Sequence, residues 1–512
     1  MMVCLPQEES KKGFNMSPNR RVGFSRPLKT IFLSTLLLSA VHAESIDDMM
    51  DGFDDEPTHA VSKVQVQENI YDETKLHSSP PINPIKPSED DIMDGFDDVS
   101  SKVIDKSKTS ANSKTTSKRE TFSKPLAGVT GKLTEQVVYS YSDDIPHNNI
   151  SSLKSSVLLD YEHKFDNGFK VKTNGKAYYD AIYDVKDEAR YSSDEVDEFK
   201  TEVELYDAYV EGSIADNLDF KVGRQVVVWG RSDTIRVTDV LNPLDNRRPG
   251  MIDIEDLRLP VGMAKLDYFV GDWRITPMAI VEQRFSKNPP AGSAFNSRTQ
   301  SLPDDEDYSE VTPALSVGAE FSGWDVNFYA TQTRDDTGYF KDEKIKHDKV
   351  DMVGTALNVL QGSWLLKSEL AHFDGLKYTS TPNKEFKRTD ALVGVEYNGF
   401  ADTLLSYDVS VRNIHDYDSR LKNEMTELDE RNYQHAFRAS KDFMNARLKG
   451  NYLISMFGAG ADKGGFQRAW IKYDHADGVY TNVGVVDYIG GSKRFDAVSN
   501  NDMAFIDVTY SF

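Results

Sequence analysis

The chain has a single cysteine, Cys4, among its 512 residues. Cys4 stands ahead of a segment that reads as a cleavable export signal. The exported chain therefore has no thiol, which excludes disulfides, thiol catalysis and cysteine metal ligands. No stretch after that signal has eighteen apolar residues in a row, so no transmembrane helix follows it. Positive charge is also scarce. Beyond residue 43, 54 basic side chains face 81 acidic ones, a formal charge of −27, and that sign disfavours nucleic acid as a partner. Histidines are few, and none has the HExxH spacing or sits beside a nucleophile-elbow glycine pattern. A hydrolase reading thus has no motif to rest on, and the sequence assigns no catalytic residue, metal ligand or cofactor.

What is present begins with the amino terminus. Arg20, Arg21, Arg26 and Lys29 precede the apolar run Thr30 to Val41, and Val41-His42-Ala43 is a small-x-small cleavage pattern before Glu44. Residues 1–43 are read as a signal peptide. Residues 1–15 are polar and unlike a signal, so Met16 fits better as the true start. The alternative, an uncleaved anchor helix, is disfavoured by the shortness of the run.

Residues 44–126 are poor in apolar side chains and rich in Ser, Thr, Lys, Asp and Pro, the composition of a disordered arm. Within it Asp47-Asp48-Met49-Met50-Asp51-Gly52-Phe53-Asp54-Asp55 returns 43 residues later as Asp90-Asp91-Ile92-Met93-Asp94-Gly95-Phe96-Asp97-Asp98, with one difference. A calcium loop is excluded, because Met49 and Ile92 stand where an oxygen ligand is required. The repeat reads as a docking peptide. Met50, Asp51, Gly52 and Phe53, with Met93, Asp94, Gly95 and Phe96, would supply apolar anchors and acidic steering to a basic-rimmed pocket. A solvated acidic spacer is the alternative.

Residues 127–512 alternate in polarity with period two. At the carboxy terminus Ile506, Val508, Tyr510 and Phe512 share one parity, and Asp507, Thr509 and Ser511 the other. One lipid-facing and one water-facing surface produce this pattern, and closing the sheet satisfies the backbone where lipid cannot. Eighteen such segments are found, from Lys132–Tyr141 to Met503–Phe512 and including Phe169–Tyr183 and Leu218–Trp229, and 14 or 16 strands also fit. Short turns such as Asn167-Gly168, Asp216-Asn217, Gly271-Asp272 and Asp477-Gly478 alternate with longer links such as 184–198, 284–311 and 415–432. The fold class is all-β: a transmembrane antiparallel β-barrel of about 18 strands preceded by a disordered arm. An even count puts both termini in the periplasm. Val508, Tyr510 and Phe512 would be read by the barrel insertion machinery, and outer-membrane lipid would cover the outer face. Acidic runs at Asp187-Glu188 and Asp304 to Asp307 read as solvated outer loops, with cation-bridged lipopolysaccharide as the alternative.

One link differs from the rest. Residues 224–258 hold six arginines, Arg224, Arg231, Arg236, Arg247, Arg248 and Arg258, against six acids, in a chain otherwise strongly acidic. Ile235, Val237, Val240, Leu241 and Leu244 would be misplaced in a free surface loop. The segment is expected to fold into the lumen as a constriction whose arginines face a permeating anion or headgroup. The alternative is an outer loop whose arginines pair with nearby acids.

Gly223-Arg224-Gln225, Trp229-Gly230 and Asp239-Val240-Leu241-Asn242-Pro243-Leu244-Asp245 resemble an uncharacterised family of proteobacterial outer-membrane barrels. More distantly the chain resembles phosphate-selective porins and alginate-export barrels. Members of that family are often encoded beside RND-type exporters, which implies a role in moving amphiphilic, lipid-like or anionic substrates with a periplasmic or inner-membrane partner. A non-conducting structural or adhesin-like barrel, a general porin and a barrel enzyme are the other readings.

Overall fold

Period-two alternation builds nearly every element of the structure. The computed structural model describes residues 128–512 apart from Asp253. The signal, the start at Met16, the acidic arm and both repeat copies lie outside the described residues. The first strands are β1 (Val129–Ser140), β2 (Asn149–Lys164), β3 (Lys170–Asp180), β4 (Thr201–Ala215), β5 (Leu218–Gln225), β6 (Val261–Val270) and β7 (Trp273–Ile280). They are followed by β8 (Thr312–Phe321), β9 (Trp324–Arg334), β10 (Tyr339–Lys341), β11 (Lys344–Lys346), β12 (Lys349–Gln361), β13 (Trp364–Leu376) and β14 (Phe386–Phe400). The last are β15 (Thr403–Ile414), β16 (Arg431–Phe443), β17 (Leu448–Phe457), β18 (Gly465–Ala476), β19 (Val479–Ile489) and β20 (Met503–Ser511). Eighteen of them form one sheet. Each pairs antiparallel with its neighbours, β9 pairs directly with β12, and β20 pairs with β1 from Lys132–Ser511 to Ser140–Met503. The barrel is therefore closed and has no free edge. All eighteen strands expected from the alternation are present. The β10–β11 hairpin lies in the longer link between β9 and β12 and was not anticipated.

The side chains are arranged as in a barrel whose outer solvent is apolar. Along β13, inward Lys367 and Glu369 are 5% and 3% exposed, while outward Leu366 and Leu370 are 49% and 48% exposed. Leucines outside and charges inside suit lipid around a polar lumen. β20 repeats the rule: Val508, Tyr510 and Phe512 face outward and Asp507 and Thr509 inward. Trp273, Trp324, Trp364, Phe400 and Phe443 are exposed at the short-turn end, where Phe321 and Trp324 stack with centroids 4.3 Å apart, an aromatic girdle at one interface. β1 starts and β20 ends at that same end. The nine longer links gather at the other end.

Of the strand ends that differ from the sequence reading, two mark places where the chain leaves the wall for the interior. The stretch expected to run to Tyr183 stops at Asp180, because Ile182 and Tyr183 leave the wall for a short helical turn and are buried in the loop cap. The stretch expected to run to Trp229 stops at Gln225. From Val226 the chain turns into the lumen, where Trp229 stacks on Tyr329 at 4.7 Å. Alternation cannot distinguish a wall residue from one in an extended segment packed inside the wall.

Placing an arginine on the lipid face near mid-membrane costs about 2–4 kcal/mol in barrels of this kind. Leu370→Arg should lower unfolding stability in lipid vesicles by about that amount, and Ser368→Thr on the same face should not. Denaturant titration followed by heat-modifiable gel migration measures both.

Candidate functional site: a segment across the lumen

Residues 226–260 enter the barrel after β5 and leave into β6. The inner wall has two characters. From β6 to β16 it carries an apolar stripe that includes Met263, Met278, Tyr329, Met352, Phe373 and Leu392, and on this stripe Trp229, Ile235, Val237 and Leu241 are buried. Burying each such side chain contributes about 1.5–3 kcal/mol, which explains apolar residues in a link that would otherwise be solvated. From β2 to β6 the wall is charged and largely self-paired: Lys170 with Glu211 at 2.7 Å, Lys221 with Glu211 at 3.3 Å and Lys265 with Asp267 at 3.0 Å.

The segment is held to the apolar side by two wall carboxylates. Glu369 accepts hydrogen bonds from the backbone N–H of Arg231 (2.6 Å), Ser232 (3.0 Å) and Thr238 (3.0 Å) and from the Thr238 hydroxyl (2.7 Å). Asp408 accepts from the hydroxyls of Ser232 (2.7 Å) and Thr234 (2.6 Å). Gly230 has φ +92°, and a Cβ there would come within 2.7 Å of the Glu369 carboxylate, so this close approach requires glycine. Gly223 is under the same constraint: at φ +135°, a Cβ would meet the Ala208 carbonyl oxygen at 2.2 Å.

The Asp239–Asp245 motif fixes the segment's own shape. Asp239 pairs with Arg236 (3.1 Å) and Arg258 (2.8 Å). Asn242 accepts from the Val227 N–H at 2.9 Å and donates to the Leu259 carbonyl at 2.8 Å, tying entry to exit. Beyond Pro243 the chain reaches the far side of the barrel. Tyr488 donates to the Pro249 carbonyl at 2.5 Å, and Arg468 donates to that of Gly250 at 3.4 Å. Contacts with β13 and β15 at one end and with β18 and β19 at the other mean that the segment crosses the lumen.

All six arginines read from the sequence lie in or beside this crossing, and each has a carboxylate. Arg224 pairs with Glu204 (3.1 Å) and Glu282 (3.3 Å), and Arg231 with Asp325. Arg236 and Arg258 share Asp239. Arg247 is the most constrained, with Asp245 at 2.6 Å, Glu202 at 2.8 Å and Glu198 at 3.2 Å. Arg248 is the least, with Asp180 alone at 3.4 Å. Lumen placement and acid pairing, weighed as alternatives in the sequence, thus occur together. The wall partners Glu369, Asp408, Glu202 and Asp180 were not picked out from the sequence. Each occupies an inward strand position where a charge is ordinary for a barrel, so no local signal marks it.

The family model described as "Protein of unknown function (DUF1302)" matches residues 146–512. The chain belongs to that family. Among solved structures it is similar to OccK1 (OpdK) of Pseudomonas aeruginosa, at 10% identity and TM-score 0.45 over 75% of this chain and 98% of that one. It is also similar to OccAB3 of Acinetobacter baumannii, at 10% identity and TM-score 0.46 over 76% and 100%. A BenF-like porin from Pseudomonas fluorescens Pf-5 gives 10% identity and TM-score 0.47 over 75% and 98%. No curated protein matches the sequence.

In this family member the loop cap above the crossing is also held by buried polar pairs. His147 meets Glu195 at 3.0 Å, and the Tyr183 hydroxyl donates to the same carboxylate at 3.3 Å. Burial disfavours a charged His147 imidazole, but hydrogen bonding and charge from Glu195 and Asp144 outweigh it and raise the pKa above the ordinary value. Glu195 therefore serves as a buried internal partner, while Glu198 pairs with Arg247 and stays half-exposed.

Glu369→Ala should free the segment. Hydrogen bonds to a charged group contribute about 1.5–3 kcal/mol each, and four donors lose their acceptor together. The expected outcome is a folded barrel with larger single-channel conductance and new tryptic cleavage after Arg231 or Arg236. Glu369→Gln, which keeps two acceptor lone pairs on one oxygen, should show a smaller change in both measurements.

Proposed function

We propose that this barrel is a transport channel of the outer membrane whose selectivity element is the 226–260 segment. The observation that carries the reading is the anchoring: an apolar stripe and two buried carboxylates inside the wall are committed to holding one link across the lumen. A purely structural barrel has no use for such a device, since a filled lumen needs only side chains. Space remains on the charged side of the crossing, a cavity of about 510 Å³ lined by β2–β5 and by Asp245, Arg247 and Arg248. A second, of about 240 Å³, lies beside Arg236, Arg388 and Arg412. Substrates that combine an anionic group with an apolar body fit a lumen with one charged and one apolar side. A channel is favoured over a barrel enzyme because the buried carboxylates Glu369 and Asp408 are engaged by the segment's donors, leaving neither poised as a base.

The sequence adds a partner to this reading. β1 begins at the short-turn end, so an arm preceding it would leave the barrel there. The paired motifs around Phe53 and Phe96 then serve to hold a periplasmic or exporter-type inner-membrane component. A peptide spanning 44–100 should capture that component from envelope extracts, and Phe53→Ala with Phe96→Ala should abolish capture. Equal retention by both peptides would reduce the repeat to a spacer.

Planar-bilayer recording tests the channel itself. Removing the Arg247 charge takes the cation from Asp245 and Glu198 and leaves Glu202 with Lys287 alone, so Arg247→Ala should move the reversal potential toward cation selectivity under a salt gradient. No conductance from well-folded wild-type protein, with or without the Glu369→Ala change, would support the non-conducting barrel instead.

A further inference from the structure

The cations that line the larger cavity are unequally neutralised. Lys221, Arg247 and Arg258 each meet a carboxylate at 3.3 Å or closer. Lys154 on β2 and Lys176 on β3 make no ion pair among the described residues. Arg248 has only the 3.4 Å contact with Asp180, and that carboxylate already accepts from the Ser152 hydroxyl (2.5 Å) and from the backbone N–H of Leu153 (2.8 Å) and Ile182 (3.2 Å). Strand register brings the two lysines to one inward face, and the lumen segment adds Arg248 to the same cavity. Lys154 stands opposite Asp180, Ser156 opposite Tyr178 and Leu158 opposite Lys176, all alternate positions directed into the lumen. Lys154 Nζ lies 5.3 Å from the centre of the Tyr178 ring, and the Arg248 guanidinium lies 4.7 Å from that of Phe199.

Three like charges gathered in a confined space repel one another unless an anion sits among them. Carboxylates share this face, Glu204 opposite Lys176 and Glu202 opposite Tyr178, but Glu204 is engaged by Arg224, Arg284 and Lys287, Glu202 by Arg247 and Lys287, and Asp207 by the Asn174 amide, so among the described residues none of them pairs with Lys154 or Lys176. Around the cations the cavity presents ring surfaces of Tyr178, Tyr206 and Phe199. Its volume, about 510 Å³, is in the range of small-ligand sites.

We infer that Lys154, Lys176 and Arg248 form a binding subsite for a phosphate or carboxylate group carried by an apolar or aromatic body, which lies against the neighbouring rings. This deepens the transport reading and rests on it for its biological purpose, while the site itself is testable as plain equilibrium binding. The shared chemistry, an anion on an apolar body, belongs both to lipid-like phosphates and to small aromatic acids.

Calorimetric titration of the folded, detergent-purified full chain with phenyl phosphate, dodecyl phosphate below its micelle concentration, inorganic phosphate and benzyl alcohol separates the cases. The first two are expected to bind, with the tighter one assigning the source. Benzyl alcohol should be at least about tenfold weaker, the loss expected when a charge-assisted contact is removed. Lys154→Gln and Lys176→Gln should each weaken phenyl phosphate by about tenfold, and Lys176→Arg should retain most of it. Equal affinity for benzyl alcohol and phenyl phosphate in the wild-type protein would overturn the inference, and so would unchanged affinity in the two lysine variants. Inorganic phosphate binding as tightly as phenyl phosphate would overturn its apolar half. The wild-type ligand series stands even if a variant fails to fold. A barrel that binds without conducting refutes only the transport reading, and one that conducts without binding refutes only the subsite.

Discussion

The Glu369 carboxylate is the constraint on which the interior depends. It sits on an inward position of β13, 3% exposed, and accepts four hydrogen bonds from a segment more than 130 residues earlier in the chain. A buried carboxylate is costly unless its lone pairs are filled. Here it is filled by backbone N–H groups that the stretch Arg231 to Thr238, being neither helix nor strand, could not satisfy within itself. Each side removes the other's desolvation cost. Gly230 is part of the same arrangement, because no side chain fits between the turn and the carboxylate.

The two-sided lumen follows from that anchoring. Once Ser232 to Leu241 are fixed on the apolar stripe, the Asp239–Arg258 pair and Asn242 bring the chain back toward its point of entry. The stretch 245–250 is then delivered to the charged wall, where Arg247 finds Glu202 and Glu198. Wall polarity thus decides which part of the link lies where: Trp229, Ile235, Val237 and Leu241 on the apolar stripe of β6–β16, and Arg247 and Arg248 against β3 and β4. The cavities persist because charged walls with paired lysines and carboxylates do not collapse on one another as apolar surfaces would.

Much of the architecture was legible in the sequence because a lipid-facing barrel writes its geometry at every second residue. Leu366, Leu370, Val508 and Tyr510 mark the outer face with no reference to tertiary contacts, and Trp273, Trp324 and Trp364 mark the strand starts at one interface. The lumen segment was legible by its oddity, as arginines and isoleucines where a surface loop would carry neither. Its partners were not. Glu369 and Asp408 look like any other inward polar residue until the chain folds back onto them, and the wall carboxylates that meet Arg224, Arg231, Arg247 and Arg248 are brought to them by the barrel's closure. The ends of β3 and β5 were missed for a related reason. Tyr183 and Trp229 continue the alternation in sequence, but their burial comes from the loop cap and from Tyr329 rather than from the wall.

The distribution of compensation among the arginines separates structural from functional charge. Arg236 and Arg258 meet on Asp239, and Arg247 is bound by three carboxylates. Their charge is consumed in shaping the segment, and a passing anion would have to compete with fixed partners at 2.6 to 3.2 Å. Arg248 has the Phe199 ring at 4.7 Å and a single carboxylate at 3.4 Å, and it lines the same cavity as two lysines that make no ion pair among the described residues. The carboxylates that line the same cavity are largely spent on other cations, Glu202 and Glu204 on Arg247, Arg224, Arg284 and Lys287 and Asp245 on Arg247. The six-arginine cluster that draws attention in the sequence is therefore mostly scaffold. The charge left available to a ligand is contributed largely by Lys154 and Lys176, two wall residues that the sequence gives no reason to notice.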